Sequence, residues 1–213
     1  MNSRPPARRI LLTGFEPFER DSVNPSWEAA RAIDGWVCEG ARVRAVRLPC
    51  VFGRAIEALD AALAEHSPEL VVALGLAAGR ADITPERVAI NLDDARIADN
   101  AGRQPIDLPV VAGAPAAYFS TLPIKAMVRD LRAAGLPASV SNSAGTFVCN
   151  HVFFALMHRL ATLPELASAR GGFVHLPCLP SLALATQVEG VRTLLWTALT
   201  TRRDARETGG QLH

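Results

Sequence analysis

Short apolar runs alternate along this chain with longer stretches whose apolar residues recur at helical spacing, and that alternation admits few architectures. Residues 9–13 and 70–76 are continuous apolar runs and read as buried strands. Residues 41–48 and 86–92 alternate as strands do, the second with Glu86, Val88, Ile90 and Leu92 on one buried side. Residues 138–140 and 172–176 read as two further strands. Helical patterns occupy 52–66, 124–134, 148–161 and 181–201. Another opens at Asn24 and Pro25, an N-cap residue followed by a proline suited to the first turn. The expected fold is an α/β sandwich with a mostly parallel central sheet. Residues 93–113, rich in Asp, Pro and Gly, form an irregular stretch long enough to suggest a functional loop or an oligomer contact.

The 213 residues fit one domain spanning 1–213, with 1–8 and 203–213 as frayed tails. Basic and acidic residues nearly cancel, 22 against 21, which argues against nucleic acid or a charged membrane surface as partner. No apolar run approaches the ~18 residues of a membrane span. The basic start leads only into Ile10-Leu11-Leu12, too short for the ~7–15-residue core of a signal peptide. The expectation is a cytoplasmic protein.

Cys38, Cys50, Cys149 and Cys178 show neither a CxxC pair nor a secreted disulfide spacing, so most read as small hydrophobes. Cys149 differs in context. It follows Ser143-Ala144-Gly145-Thr146-Phe147-Val148 in the first turn of a helix, where the dipole favours a thiolate nucleophile. The preceding segment can present backbone N–H groups to an oxyanion. Cys149 also shares a face with Phe153, Leu156 and Leu160, so a packing role is the alternative.

A nucleophilic thiol needs a base and a group that orients it. His151 and His158 lie about 200° and 180° round the helix from Cys149, facing away. His66 ends a helix and His213 ends the chain. His175 remains, at the carboxyl end of an apolar strand, where open α/β sheets build their sites; a hydrogen-bonded core histidine is the competing reading. For the acid, Glu86 falls on the buried side of its strand, where a carboxylate is costly unless paired. It competes with Asp93, Asp94 and Asp99, and with a solvated position or a pairing to Arg80 or Arg87.

Four segments together resemble the pyroglutamyl peptidase I family of cysteine peptidases: Leu12-Thr13-Gly14-Phe15-Glu16-Pro17-Phe18 with Asn24-Pro25-Ser26, Pro85-Glu86-Arg87-Val88-Ala89-Ile90-Asn91 running on to Asp94-Ala95-Arg96-Ile97, Ser143 through Asn150, and Gly172-Phe173-Val174-His175-Leu176-Pro177. Order and spacing match over residues 9–200. The resemblance implies a three-layer α/β/α fold, a Cys149–His175–Glu86 triad, an active-site arginine at Arg96, no metal or cofactor, and a homo-oligomer, tetramer or dimer. It implies pocket walls from Phe15, Phe18, Ile97, Phe147 and Val148, with Cys50 near another wall position. Leu76 stands where many bacterial members carry Gln. Backbone N–H and C=O groups there can still hold a lactam.

The implied activity is removal of an N-terminal pyroglutamyl residue from peptides through a thioester. Two other readings remain: a nucleoside phosphorylase-like enzyme using the turn from Gly75 to Arg80 for phosphate, and a non-catalytic binder that keeps the pocket.

Overall fold

The computed structural model describes residues 8–19 and 21–210; expectations for residues 1–7 and 211–213, His213 included, fall outside them. The elements in chain order are β1 (Arg8–Phe15), α1 (Pro25–Ala32), β2 (Val37–Cys38), β3 (Ala41–Leu48), α2 (Arg54–His66), β4 (Leu70–Leu76), β5 (Thr84–Pro85), β6 (Val88–Ile90), β7 (Ala117–Phe119), α3 (Ile124–Ala133), α4 (Val148–Thr162), β8 (Arg170–Leu176) and α5 (Leu184–Thr200). Six strands form the main sheet in the order β2-β3-β1-β4-β8-β5. Its four central strands are parallel, and the short edge strands β2 and β5 are antiparallel to their neighbours.

Strand periodicity sorts the core into two layers. Ile10, Leu12, Leu70, Val72, Leu74 and Val174 face one side, under α1, α3 and α5. Leu11, Val71, Ala73 and Phe173 face the other, under α2 and α4. This is the three-layer α/β/α arrangement expected. β4 is buried along almost its whole length, which its unbroken Leu-Val-Val-Ala-Leu run allows. Asn24 caps α1 as the sequence suggests: its Oδ1 accepts from the backbone N–H and the hydroxyl of Ser26.

Two expected strands differ. Residues 86–92 do not form one strand. β5 ends at Pro85 on the main sheet, and β6 begins at Val88 in a separate two-stranded sheet with β7. Here Ala89 is buried while Val88 and Ile90 are half-buried, so Glu86 does not share their face. The expected strand at residues 138–140 is replaced by isolated bridges, Ile83 to Ala138 and Glu86 to the adjoining Ser141. At 85–88 the chain crosses from one sheet to the other, and residues 138–141 run beside β5 without forming a full strand, which local alternation does not register.

The polar C-terminal stretch is anchored. Asp204 accepts from the backbone N–H groups of Lys125 and Ala126, capping α3 from a distance, and Arg87 donates to the Gly209 carbonyl. Among the described residues, no helix is long and apolar enough to cross a membrane.

Candidate active site

β8 carries Phe173 into the α2/α4 layer, and His175, two residues on, points the same way. Their ring centroids are 4.9 Å apart. His175 pairs with Gly75 across the parallel β4–β8 register. A Cβ at Gly75 would lie 2.9 Å from Cys149 Sγ and 2.7 Å from the Phe173 ring. The thiol therefore rests directly over the strand that neighbours His175, and only the missing side chain at Gly75 leaves room for it. Phe173 is fully buried and cannot yield. Gly75→Ala is expected to cost about 1–3 kcal/mol by overpacking. It should also cut activity about tenfold to a hundredfold by displacing the thiol. Urea unfolding and steady-state kinetics on one preparation check both effects.

Glu86 enters from the far side of β8. Its backbone N–H donates to the Phe173 carbonyl, 2.9 Å, and its Oε1 accepts from His175 Nδ1 at 2.7 Å. The carboxylate is fully buried, and the rest of its compensation comes from Arg80, whose NH1 lies 2.6 Å from the same oxygen. Arg80 also donates to Thr84 Oγ1 at 2.7 Å and to the Ser143 carbonyl at 2.9 Å. With Nδ1–H committed to Glu86, His175 presents Nε2 on the face that holds Cys149. The turn from Gly75 to Arg80, weighed as a phosphate loop, spends its arginine on these internal contacts.

Cys149 is the second residue of α4, after Phe147 in extended conformation. The first-turn N–H groups there have no intrahelical acceptors and face the same space. Gly145, at φ +76, makes the turn that brings the chain into the helix. The thiol itself departs from the sequence expectation. Burial, with Cys50 and Glu86 adding, drives its pKa upward against the lowering by Arg80. The helix terminus favours a thiolate, and desolvation opposes it.

The other sequence candidates fall into place around this centre. Phe15 is buried; Phe18 and Phe52 both meet Phe147 edge to face, with centroids 5.2 and 5.3 Å apart. Val148 is buried, whereas Leu76 and Ile97 are half-buried. Arg96 is exposed and makes no hydrogen bond or ion pair among the described residues. Phe52, which sequence reasoning did not single out, packs on Phe147 and lies in the Pro49-Cys50-Val51-Phe52 segment that carries Cys50. The rival acids have other duties: Asp99 caps the Phe52 N–H, and Asp93 Oδ2 bonds His151 Nδ1 at 2.7 Å. His151, turned from Cys149 as predicted, is buried, and its Nε2 accepts from the Gly53 N–H. Among the described residues, no group of three or more His, Cys, Asp or Glu side chains is arranged to hold a metal ion.

Cys50 is buried beside Glu16 and Asp99, and burial above all pushes its thiol up to about 12 from the ordinary 9.0. The unfolded chain releases this proton above pH 9 while the native state holds it. The contribution to stability is therefore complete below pH 9 and lost as pH rises toward 12. Removing Cys50 should relieve up to about 1.4 kcal/mol per pH unit across that window. Urea midpoints at pH 8 and 10 should thus converge for Cys50→Ala relative to the parent protein. Equal pH dependence in the two proteins would refute the assignment.

Comparison with known proteins follows the geometry closely. A sequence profile described as pyroglutamyl peptidase matches residues 8–202. The chain is 62% identical over 214 residues to a pyrrolidone-carboxylate peptidase of Cupriavidus taiwanensis, covering 96% of this chain and 99% of that one. It is 53% identical to the corresponding protein of Klebsiella pneumoniae over the same shares. Among solved structures, pyroglutamyl peptidase I from Bacillus amyloliquefaciens superposes with a TM-score of 0.92 at 41% identity, over 95% of this chain and 99% of that one. A mutant pyrrolidone carboxyl peptidase from Pyrococcus furiosus gives a TM-score of 0.88 at 39% identity, covering 91% and 99%.

Proposed function

The chain belongs to the pyroglutamyl peptidase family, and we propose that Cys149, His175 and Glu86 are the residues with which it works. The protein is a cysteine peptidase that removes an N-terminal pyroglutamyl residue from peptides. The observation that carries the residue assignment is the 2.7 Å bond from His175 to a fully buried Glu86, on the sheet face over which Cys149 Sγ rests.

His175 Nε2 takes the proton of Cys149, and Sγ attacks the carbonyl that joins pyroglutamate to the next residue. The negative charge on the carbonyl oxygen faces the first-turn N–H groups of α4, and Arg96 is the arginine the family pattern assigns to this region. Glu86 holds the imidazole in its tautomer and stabilises the imidazolium. The imidazolium then gives the proton to the departing amine, leaving a thioester. Water, deprotonated by His175, hydrolyses the thioester, and the proton returns to sulfur as pyroglutamate leaves. No cofactor enters this sequence. Phe15, Phe18, Ile97, Phe147 and Val148 would wall the small flat lactam, with backbone groups near Leu76 pairing its amide.

The same proposal covers a single domain, a cytoplasmic location and a homo-oligomer, dimer or tetramer. Exposed Ile106, Leu108 and Phe119 supply apolar surface of the kind an assembly buries. Family membership sets aside the phosphorylase reading.

Alkylation by iodoacetamide tests the nucleophile, provided the modified residue is mapped. Cys178 lies 3.1 Å from Ser181 Oγ, and that hydrogen bond lowers its pKa, so it competes for reagent at neutral pH. Loss of fluorophore release from a pyroglutamyl amide should track alkylation of Cys149 and not of Cys178. Full activity with Cys149 alkylated would sink the reading.

A further inference from the structure

In the sequence Arg80 reads as a possible partner for Glu86 or as the end of a phosphate-binding turn, and neither the triad nor the lactam pocket uses it. Its position accounts for more. It stands on the turn between β4 and β5, its side chain 30% exposed, and its donors reach three residues. NH1 bonds Glu86 Oε1 and Thr84 Oγ1; NH2 bonds the carbonyl of Ser143, six residues ahead of Cys149. The Ser143 carbonyl also accepts from Ser141 Oγ, and the Ser143 hydroxyl accepts from the Gly145 N–H. A planar guanidinium with donors in fixed directions can join a carboxylate to a carbonyl in this way, whereas an ammonium reaches one acceptor at a time.

We propose that Arg80 is a positioning residue for the acyl transfer: it fixes the orienting carboxylate of Glu86 and the Ser143–Gly145 backbone leading into the nucleophile helix in one rigid frame. The inference rests on the triad reading. Glu86 Oε1 receives both His175 and Arg80, so the imidazole angle depends on where the guanidinium holds the carboxylate. The other end of the same guanidinium sets the segment that aims the first turn of α4. The charged and titratable groups around His175 are Glu86 at the end of β5, Arg80 on the turn, and Cys149 on α4 with Cys50 near it. Arg80 is the cation of that set and lowers the pKa of the thiol, so its removal strengthens proton retention by Cys149.

The test measures kcat, KM and the pH profile for Arg80→Leu and Arg80→Lys, each alone and in a Glu86→Gln background. Arg80→Leu is expected to lower kcat about a hundredfold. KM should stay within about threefold, since no bond to substrate is removed. The acid limb of kcat/KM should move to higher pH. Arg80→Lys should recover part of the loss and most of the pH shift, because it restores charge but not the double contact. If Arg80→Leu does not fold, the Lys variant decides alone, through a kcat loss of about tenfold at unchanged KM. In the Glu86→Gln background the Arg80→Leu effect should largely vanish. An undiminished effect there, or a kcat within twofold of the parent protein, overturns the proposal. Retained activity in Cys149→Ala would instead overturn the triad reading on which it stands.

Discussion

Cys149→Ala is expected to abolish release of a fluorophore from a pyroglutamyl amide, lowering kcat by at least about 10⁴-fold while the protein stays folded. The loss is large because alanine cannot form the thioester, and no neighbouring thiol can take over. Cys50 is buried and Cys178 lies beyond the end of β8, hydrogen-bonded to Ser181. The fold should barely notice. Cys149 is half-buried with no bond that the sheet or helix depends on, so the stability change should be about 1 kcal/mol or less. Substrate should still bind, because the packing of Phe18, Phe52 and Phe147 in the proposed pocket is untouched. A titration of binding beside the activity assay separates the two effects. Cleavage above a few per cent of the parent rate would mean that another residue is the nucleophile.

Glu86→Gln is the second change with a large expected effect. The glutamine keeps an acceptor for His175 Nδ1 but removes the charge that Arg80 and an imidazolium both require. Glu86 Oε2 has no partner among the described residues, so the new NH₂ group would lie buried without an acceptor. A lost hydrogen-bonded charge in a fully buried site predicts destabilisation of about 1–3 kcal/mol. Loss of the imidazolium partner predicts a fall in kcat of roughly 10²–10⁴-fold. Glu86→Ala should be worse for the fold, about 3 kcal/mol, since it leaves Arg80 without its carboxylate and His175 Nδ1 without an acceptor. Urea unfolding with kinetics at several pH values distinguishes the two losses. A Gln variant with near-normal kcat would remove Glu86 from the mechanism and leave it as a structural ion-pair partner.

Different parts of this site were legible in the sequence for different reasons. Asn24 with Pro25, the apolar run of β4 and the Gly145-to-Cys149 approach to α4 are local signals, and each took its expected form. His175 came from elimination and from the rule that sites gather at strand carboxyl ends, and the structure puts it there. The strand argument for Glu86 reached the right burial through the wrong element. Glu86 is buried because it crosses behind β8 and meets Arg80 and His175, not because it alternates with Val88 and Ile90. Phe52 went unassigned because its partners Asp99 and Phe147 lie far along the chain, and the reach of Arg80 to the Ser143 carbonyl was hidden for the same reason.

By itself the sequence determined the layered α/β architecture, the helix that holds Cys149 and the two histidines turned away from it. These follow from periodicity and capping, which are properties of neighbours in the chain. The tertiary structure decided the rest. It raised the pKa of the Cys149 thiol, because desolvation depends on what packs around sulfur. It made Gly75 the place where the helix start can close on the sheet. It also joined Glu86 to residues 80, 143 and 175, a convergence that exists only once the strands are paired.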